Sequence, residues 1–241
     1  MAEQEVIKHT KKVYKVWNSK EHSFWHKAKE FAIEILIIVF AVSLSIWFHN
    51  WSEHRHEQKQ VKSFLLGLKT DIAEDIEETK QLISIFKQNG KSYKYLGSLT
   101  EADLRLNDTL VNEMNGLFSN AYLRPNISRY SGFSMSGKLT TIENEKLLQN
   151  ILNLYQELIP RIKSSEGGYN EMKAELGKFV IDNTTSPDDV LSKAKVLMTP
   201  NGKILCSFLV PGDQLFERYN DFINAGNEII QQINKEYGLE Q

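Results

Sequence analysis

A chain of 241 residues with 41% hydrophobic and 25% charged content has the make-up of one large or two small folded domains, which excludes a wholly disordered polymer. The net charge is −2, from 29 Lys+Arg against 31 Asp+Glu, so there is no global basic excess of the kind that neutralises nucleic-acid phosphates, and nucleic acid is not expected as a partner. The single cysteine, Cys206, excludes an internal disulfide and the thiolate-rich sites of structural zinc.

Residues 1–30 carry seven lysines against Glu3, Glu5, Glu21 and Glu30. Val6, Ile7, Val13, Tyr14 and Trp17 recur at helical spacing while Lys8, Lys11, Lys12 and Lys15 fall largely off that stripe, the pattern of a short interfacial helix on anionic lipid or of a docking peptide. From Phe31 to Phe48 the chain reads FAIEILIIVFAVSLSIWF, with Glu34 its only charge. At 1.5 Å per residue such a run covers about 27 Å, close to the roughly 30 Å hydrocarbon core of a bilayer. Trp25 before the run and Trp47 and Trp51 at its end stand where amphipathic rings anchor a span to the two interfaces. The lysines Lys8, Lys11, Lys12, Lys15, Lys20, Lys27 and Lys29 precede the run, and only Arg55, Lys59 and Lys62 follow in the next twenty residues, which predicts a cytoplasmic N-terminus. The expected organisation is a basic segment at 1–30, a transmembrane helix at 31–48 acting as an uncleaved signal anchor, and an exported, periplasmic domain at 49–241.

The exported part reads as all-α. Val61, Leu65, Leu68, Ile72, Ile76, Ile83 and Phe86 form an apolar stripe that predicts a stalk helix continuous with the span and ending at Asn89-Gly90. Gly67 is its weak point, at roughly 1 kcal/mol relative to alanine. The acidic run from Asp71 to Glu78 lacks the glycine and ligand alternation of a calcium loop and reads as a solvated face. Thr100 caps one helix or a pair reaching about Phe118, and a short helix over 127–136 stops at Gly137. Thr141 is expected to cap a long helix from Glu143, kinked but not ended by Pro160. Ser186-Pro187-Asp188-Asp189 reads as a further cap, Asn201-Gly202 as a turn, and 203–210 as a short strand without a partner. A last helix runs from about Asp213 to Tyr237, with Gly238 as its stop. The expected architecture is an N-terminal transmembrane helix continuing into a stalk helix and an extracytoplasmic helical bundle.

The string Glu34-Ile35-Leu36-Ile37-Ile38-Val39, then Ser45-Ile46 and Asn50-Trp51-Ser52-Glu53 with Arg55, resembles the signature of a family of uncharacterised single-pass membrane proteins from Bacteroidetes-type bacteria. Ser136-Gly137-Lys138-Leu139 ahead of Ile142, Asn144 and Leu147 is similar to a second motif of that family. The chain departs from the pattern at Phe40-Ala41-Val42, Ser43 and Trp47-Phe48. The resemblance implies an inner-membrane anchor and a helical periplasmic domain, and carries no established activity.

Candidate sites are few. Glu34, Ile38, Ala41 and Ser45 share one helical face, and Ala41-x-x-x-Ser45 is a small-xxx-small pair, so these residues form a possible seam for a second copy or another membrane protein; alternatively Glu34 pairs with Lys27 or Lys29 at the membrane edge. His49, Glu53 and His56 have the spacing of a weak metal site, against which plain interfacial solvation is the simpler account. All six histidines lie within residues 1–56, so residues 57–241 cannot form a Ser-His-Asp or Cys-His centre. No cofactor is expected. The loop 120–129, with Tyr122, Arg124, Pro125 and Arg129, is the best contact surface the sequence offers. The function expected is that of a non-enzymatic interaction protein, a scaffold or sensor that binds the bilayer, itself or another envelope protein. A carboxylate-based enzyme or a small-ligand-binding bundle is the alternative.

Overall fold

The computed structural model describes Lys11, Tyr14 and residues 24–116, 119–186 and 188–239. The stripe expected in the basic segment therefore lies outside the described residues, apart from Lys11 and Tyr14, and so do His9, His22, Phe118 and Pro187. Among the described residues the fold is all-α, with no strand.

The chain divides into two units, Met1–Gln60 and Val61–Gln241. Residues 49–60 thus group with the apolar run, and the second unit starts at Val61. Helix α1, Phe24–Ser98, is assigned without a break over 75 residues and contributes to both units. In the first unit, the apolar window of α1 is long and apolar enough to cross a membrane, and none of it is buried.

In the second unit, α1 is followed by a 3-10 turn (Glu101–Asp103), α2 (Asp108–Gly116), α3 (Ser128–Met135) and a second 3-10 turn (Lys138–Thr141). Next come α4 (Glu145–Asn153), a π turn (Leu154–Leu158) and α5 (Ile159–Asn183), then α6 (Val190–Leu197), α7 (Pro200–Phe208) and α8 (Asp213–Tyr237). Two apolar cores result. The larger joins Leu65, Leu68, Ile72 and Phe86 of α1 to Leu147, Ile151 and Ile162 and to Tyr219, Phe222 and Ile233 of α8. The smaller joins Tyr93, Leu96 and Leu99 to Leu110, Leu176, Leu197 and Cys206.

The second core explains why α1 does not stop at Asn89-Gly90. Tyr93 and Leu96 are 2% and 0% exposed, and their burial carries the helix to Ser98 past a residue that locally favours an end. Gly90 instead lets Pro211 approach, since a Cβ there would lie 3.0 Å from the proline Cδ. Pro160 is absorbed as expected: it sits in the first turn of α5, immediately after the π turn, where its missing N–H costs little.

Three local expectations shift, two of them caps. Thr141 belongs to the 3-10 turn, and Asn144 caps α4 by accepting from Leu147 N at 3.1 Å. Asp189 caps α6, accepting from Ser192 N at 2.8 Å. Residues 203–210 are not a strand: Thr199 accepts from Gly202 N at 3.2 Å and Pro200 opens α7, so Thr199-Pro200 is a helix start where Asn201-Gly202 looks like a turn. Helix α8 keeps its expected limits, and Gly238 takes the left-handed conformation that closes it, at φ 63°.

Candidate functional site

The acidic face of α1 and the loop 120–129 meet, and the meeting is made of carboxylates and backbone amides. Asp71, Asp75 and Glu78 follow one another at four- and three-residue steps, one side of a helix. Leu68, Ile72, Asp75, Thr79, Leu82 and Phe86 continue in the same four-three alternation, so Asp75 and Thr79 occupy positions of the buried stripe. Both are buried, at 1% and 0% exposed. Thr79 satisfies its hydroxyl by donating to Asp75 O at 2.7 Å.

The Asp75 carboxylate accepts from Asn126 N at 3.0 and 3.1 Å and from Asn126 Nδ2 at 2.9 Å. Glu78 accepts from Arg124 N at 3.3 Å. Glu166 of α5, also 1% exposed, accepts from Leu123 N at 3.0 Å and from the Tyr219 hydroxyl at 2.6 Å. Pro125 has no N–H, and Ile127 N donates to Pro125 O at 2.9 Å. Every backbone donor from Leu123 to Ile127 is thereby accounted for, three of them by carboxylates. Arg129 closes the arrangement: its Nε donates to Asp71 at 2.8 Å, and its guanidinium lies over Gly67, where a Cβ would come within 2.3 Å of it. The helix-weakening glycine is the space that Arg129 occupies.

Burial sets the electrostatics. It pushes the Asp75 carboxyl up to about 6, against the Asn126 hydrogen bonds that hold it down, with the charges of Glu78 and Asp71 adding to the rise. Glu166 is likewise raised, chiefly by burial and against its bonds from Tyr219 and Leu123. Two buried carboxyls with raised values would ordinarily attract an acid–base reading. Here both are occupied by protein donors, and what they accomplish is to hold one loop against α1 and α5. That loop keeps Leu123 inside at 3% exposed and turns Tyr122, Arg124 and Ile127 outward. Beneath it, Tyr130 stacks on Tyr155 at 4.2 Å between ring centres and accepts from Gln156 Nε2 at 2.9 Å. The arrangement presents a short exposed turn on a rigid mount, a geometry suited to contact with another molecule.

This corrects one sequence expectation: the run Asp71–Glu78 is not simply a solvated face, because Asp75 lies in the core and Asp71 and Glu78 hold the loop. Glu166 was missed altogether. The legible signal was the polar interruption of the four-three stripe at Asp75 and Thr79, a buried register that polar residues enter only with partners.

The first unit holds the remaining candidates. Trp25, Trp47 and Trp51 are exposed, at 81%, 58% and 49%. Trp47 packs edge-on against Phe48, and the Arg55 guanidinium lies 4.9 Å over the Trp51 ring. Along the expected seam, Glu34 and Ile38 are partly covered while Ala41 and Ser45 are exposed, and Ser45 donates back to Ala41 O at 2.8 Å. His49 Nε2 is 3.8 Å from Glu53 Oε2, whereas His56 turns to Gln60 at 2.8 Å. The structure does not gather His49, Glu53 and His56 into one metal-holding group, and it has none of three or more such side chains among the described residues.

Comparison with known proteins gives the chain a family. A family model described as a family of unknown function, DUF6090, matches residues 34–194, from the one charge of the apolar run to the middle of α6. No curated protein and no solved structure matches.

Proposed function

The chain belongs to the DUF6090 family of unknown function, and from that premise we propose that it is a single-pass anchor protein of a bacterial inner membrane, with residues 1–30 cytoplasmic and residues 49–241 periplasmic, whose helical domain is a non-enzymatic interaction module, a scaffold or sensor. One observation carries the reading. The apolar window of α1 is wholly unburied, although the second unit buries its own apolar stripe at 0–5% exposure over Val61, Phe64, Leu65, Leu68, Ile72 and Ile76. A fold that covers its core this well does not leave a continuous apolar cylinder in water, so the cylinder's solvent is lipid.

Several features support the finer points. The lysine excess before Phe31 favours a cytoplasmic N-terminus, and the exposed Trp25, Trp47 and Trp51 suit the two interfaces. The family match begins at Glu34, so the apolar run is part of what the family shares. Partners are expected on two surfaces: the seam Glu34, Ile38, Ala41 and Ser45 for a second copy or another membrane protein, and the mounted loop for an envelope protein. A binding role is favoured over acid–base catalysis because Asp75 and Glu166 spend their acceptor capacity on Asn126, Leu123 and Tyr219.

The test has two stages. Membranes washed with alkaline carbonate retain the full-length chain, and a reporter that is active only outside the cytoplasm reports activity when fused after Gln241; release by the wash, or a silent reporter, overturns the anchor or its orientation. Affinity purification in mild detergent with in-membrane crosslinking then recovers a defined partner or oligomer, and Glu34→Gln with Ser45→Leu reduces the crosslink at least fivefold. An unchanged crosslink sinks the seam.

A further inference from the structure

Helix α5 carries a second buried charge, and this one has no counter-charge. Lys173 is 3% exposed, and among the described residues no carboxylate pairs with it. Its Nζ donates to Ser119 O and lies 5.8 Å from the centre of the Tyr169 ring. These contacts satisfy one of three ammonium donors and supply no counter-charge. Burial accordingly lowers the Lys173 pKa, with no opposing charge to hold it up. One turn back on the same helix face, Asn170 has both Nδ2 and Oδ1 buried without a hydrogen-bond partner. Native folds leave few such atoms, and a donor, an acceptor and an uncompensated ammonium on one face are a cluster that the protein itself does not complete.

The cluster lines a cavity of about 380 Å³, which Asn120, Lys178 and Ile181 border and into which Gly177 projects no side chain. Asn120, Lys178 and Ile181 are all exposed. Exposed side chains change rotamer on the nanosecond scale, so Asn120 and Lys178 admit a small molecule without backbone movement. The volume is at the lower end for ligand sites and ample for a three- or four-carbon acid.

We propose that this cavity binds a small organic carboxylate bearing a hydrogen-bond donor beside the carboxyl group, an α-hydroxy or α-amino acid. Lys173 Nζ pairs with one carboxylate oxygen, Asn170 Nδ2 donates to the other, and Asn170 Oδ1 accepts from the neighbouring hydroxyl or ammonium. Lys178 at the rim adds attraction for an anion. Such a site gives the domain a chemical input and is independent of which way the chain crosses a membrane.

The experiment is isothermal titration calorimetry on the full-length protein in mild detergent, with L-lactate and L-alanine as probes and propionate and inorganic phosphate for comparison. At least one of lactate and alanine binds, propionate binds at least fivefold more weakly for want of the donor, and Lys173→Met weakens the better probe at least tenfold. Methionine keeps the apolar stem that packs in the wall, and Asn170→Leu, of similar volume, gives a second tenfold loss should Lys173→Met fail to fold. Neither probe binding, binding unchanged in the variants, or Lys173-dependent binding of phosphate alone would each overturn the assignment.

Discussion

Two stretches of the same helix, Phe31–Phe48 and Val61–Phe86, are both rich in large apolar residues, and they end in opposite environments. In the first, Phe31, Ile33, Leu36, Val39 and Phe48 are spread right round the helix axis at about 100° per residue, and all are at least 40% exposed. In the second, Leu65, Leu68, Ile72 and Phe86 fall on one stripe and are fully covered. The difference is one of angular distribution rather than of hydrophobicity. A stripe about 100° wide can be buried by neighbouring helices in the same domain, whereas an all-round apolar surface needs a solvent that is itself apolar.

The sharpest way to break this comparison is to truncate one leucine in each stretch. Leu68→Ala should destabilise the second unit by about 2–5 kcal/mol, because a fully buried leucine leaves a cavity that its packed surroundings fill only in part. Leu36→Ala, at a position 67% exposed, should change the same unfolding transition by less than about 0.5 kcal/mol. Denaturant unfolding in detergent, followed by tyrosine absorbance of the bundle, separates the two. Equal losses would mean that the apolar run packs on protein rather than lipid.

A second, smaller effect concerns the polar interruption of the buried stripe. The folded-state Asp75 carboxyl is raised from 3.8 to about 6, so the folded chain holds that proton more tightly than the unfolded chain does. Its contribution to stability is therefore full below about pH 4 and is lost as pH rises through about 6. Asp75→Asn removes this slope. Relative to wild type, the variant should gain up to about 3 kcal/mol between pH 4 and pH 7.5, read from unfolding curves at several pH values. A variant advantage that is flat with pH would show that Asp75 titrates in its ordinary range, and one that grows toward acid would show that its hydrogen bonds hold it below that range.

The smallest effect is at the rim of the mounted loop. Arg129 is 45% exposed, so its ion pair with Asp71 is screened, and Asp71→Asn should cost about 0.2–1 kcal/mol of global stability. Its clearer signature is faster amide exchange around Ile127 and Ser128, with the exchange of Leu123 and Asn126 unchanged because Glu166 and Asp75 still hold them. Loosening of all four amides together would mean that the loop depends on Arg129 as a whole.

Much of the fold was legible in advance, and the reason is local in each case. The apolar segment follows from a run of eighteen residues with one charge, Glu34, and the stripe of α1 from its three- and four-residue steps. The limits of α8 follow from Asp213 in its first turn and Gly238 beyond its last. What misled was also local. Asn89-Gly90 and Asn201-Gly202 are good turn signals, yet Tyr93 and Leu96 carry α1 past the first, and the Thr199 cap draws the second into α7. Of the candidate site, the loop 120–129 was marked out as exposed and rich in turn chemistry, while the carboxylates that hold it were read as solvated or not at all.

The all-helical class, the position of the apolar segment and the absence of histidine beyond residue 56 are legible in the order of the amino acids, since they depend on composition and on periods shorter than two helical turns. Which acidic residues enter the core, and what meets them there, depends on packing between distant parts of the chain. Asp75 finds Asn126 across 51 residues and Tyr219 finds Glu166 across 53, and Lys173 is left without a counter-charge by the same packing. Pairings of that range are settled by which helix faces come together, a choice that local periodicity does not encode.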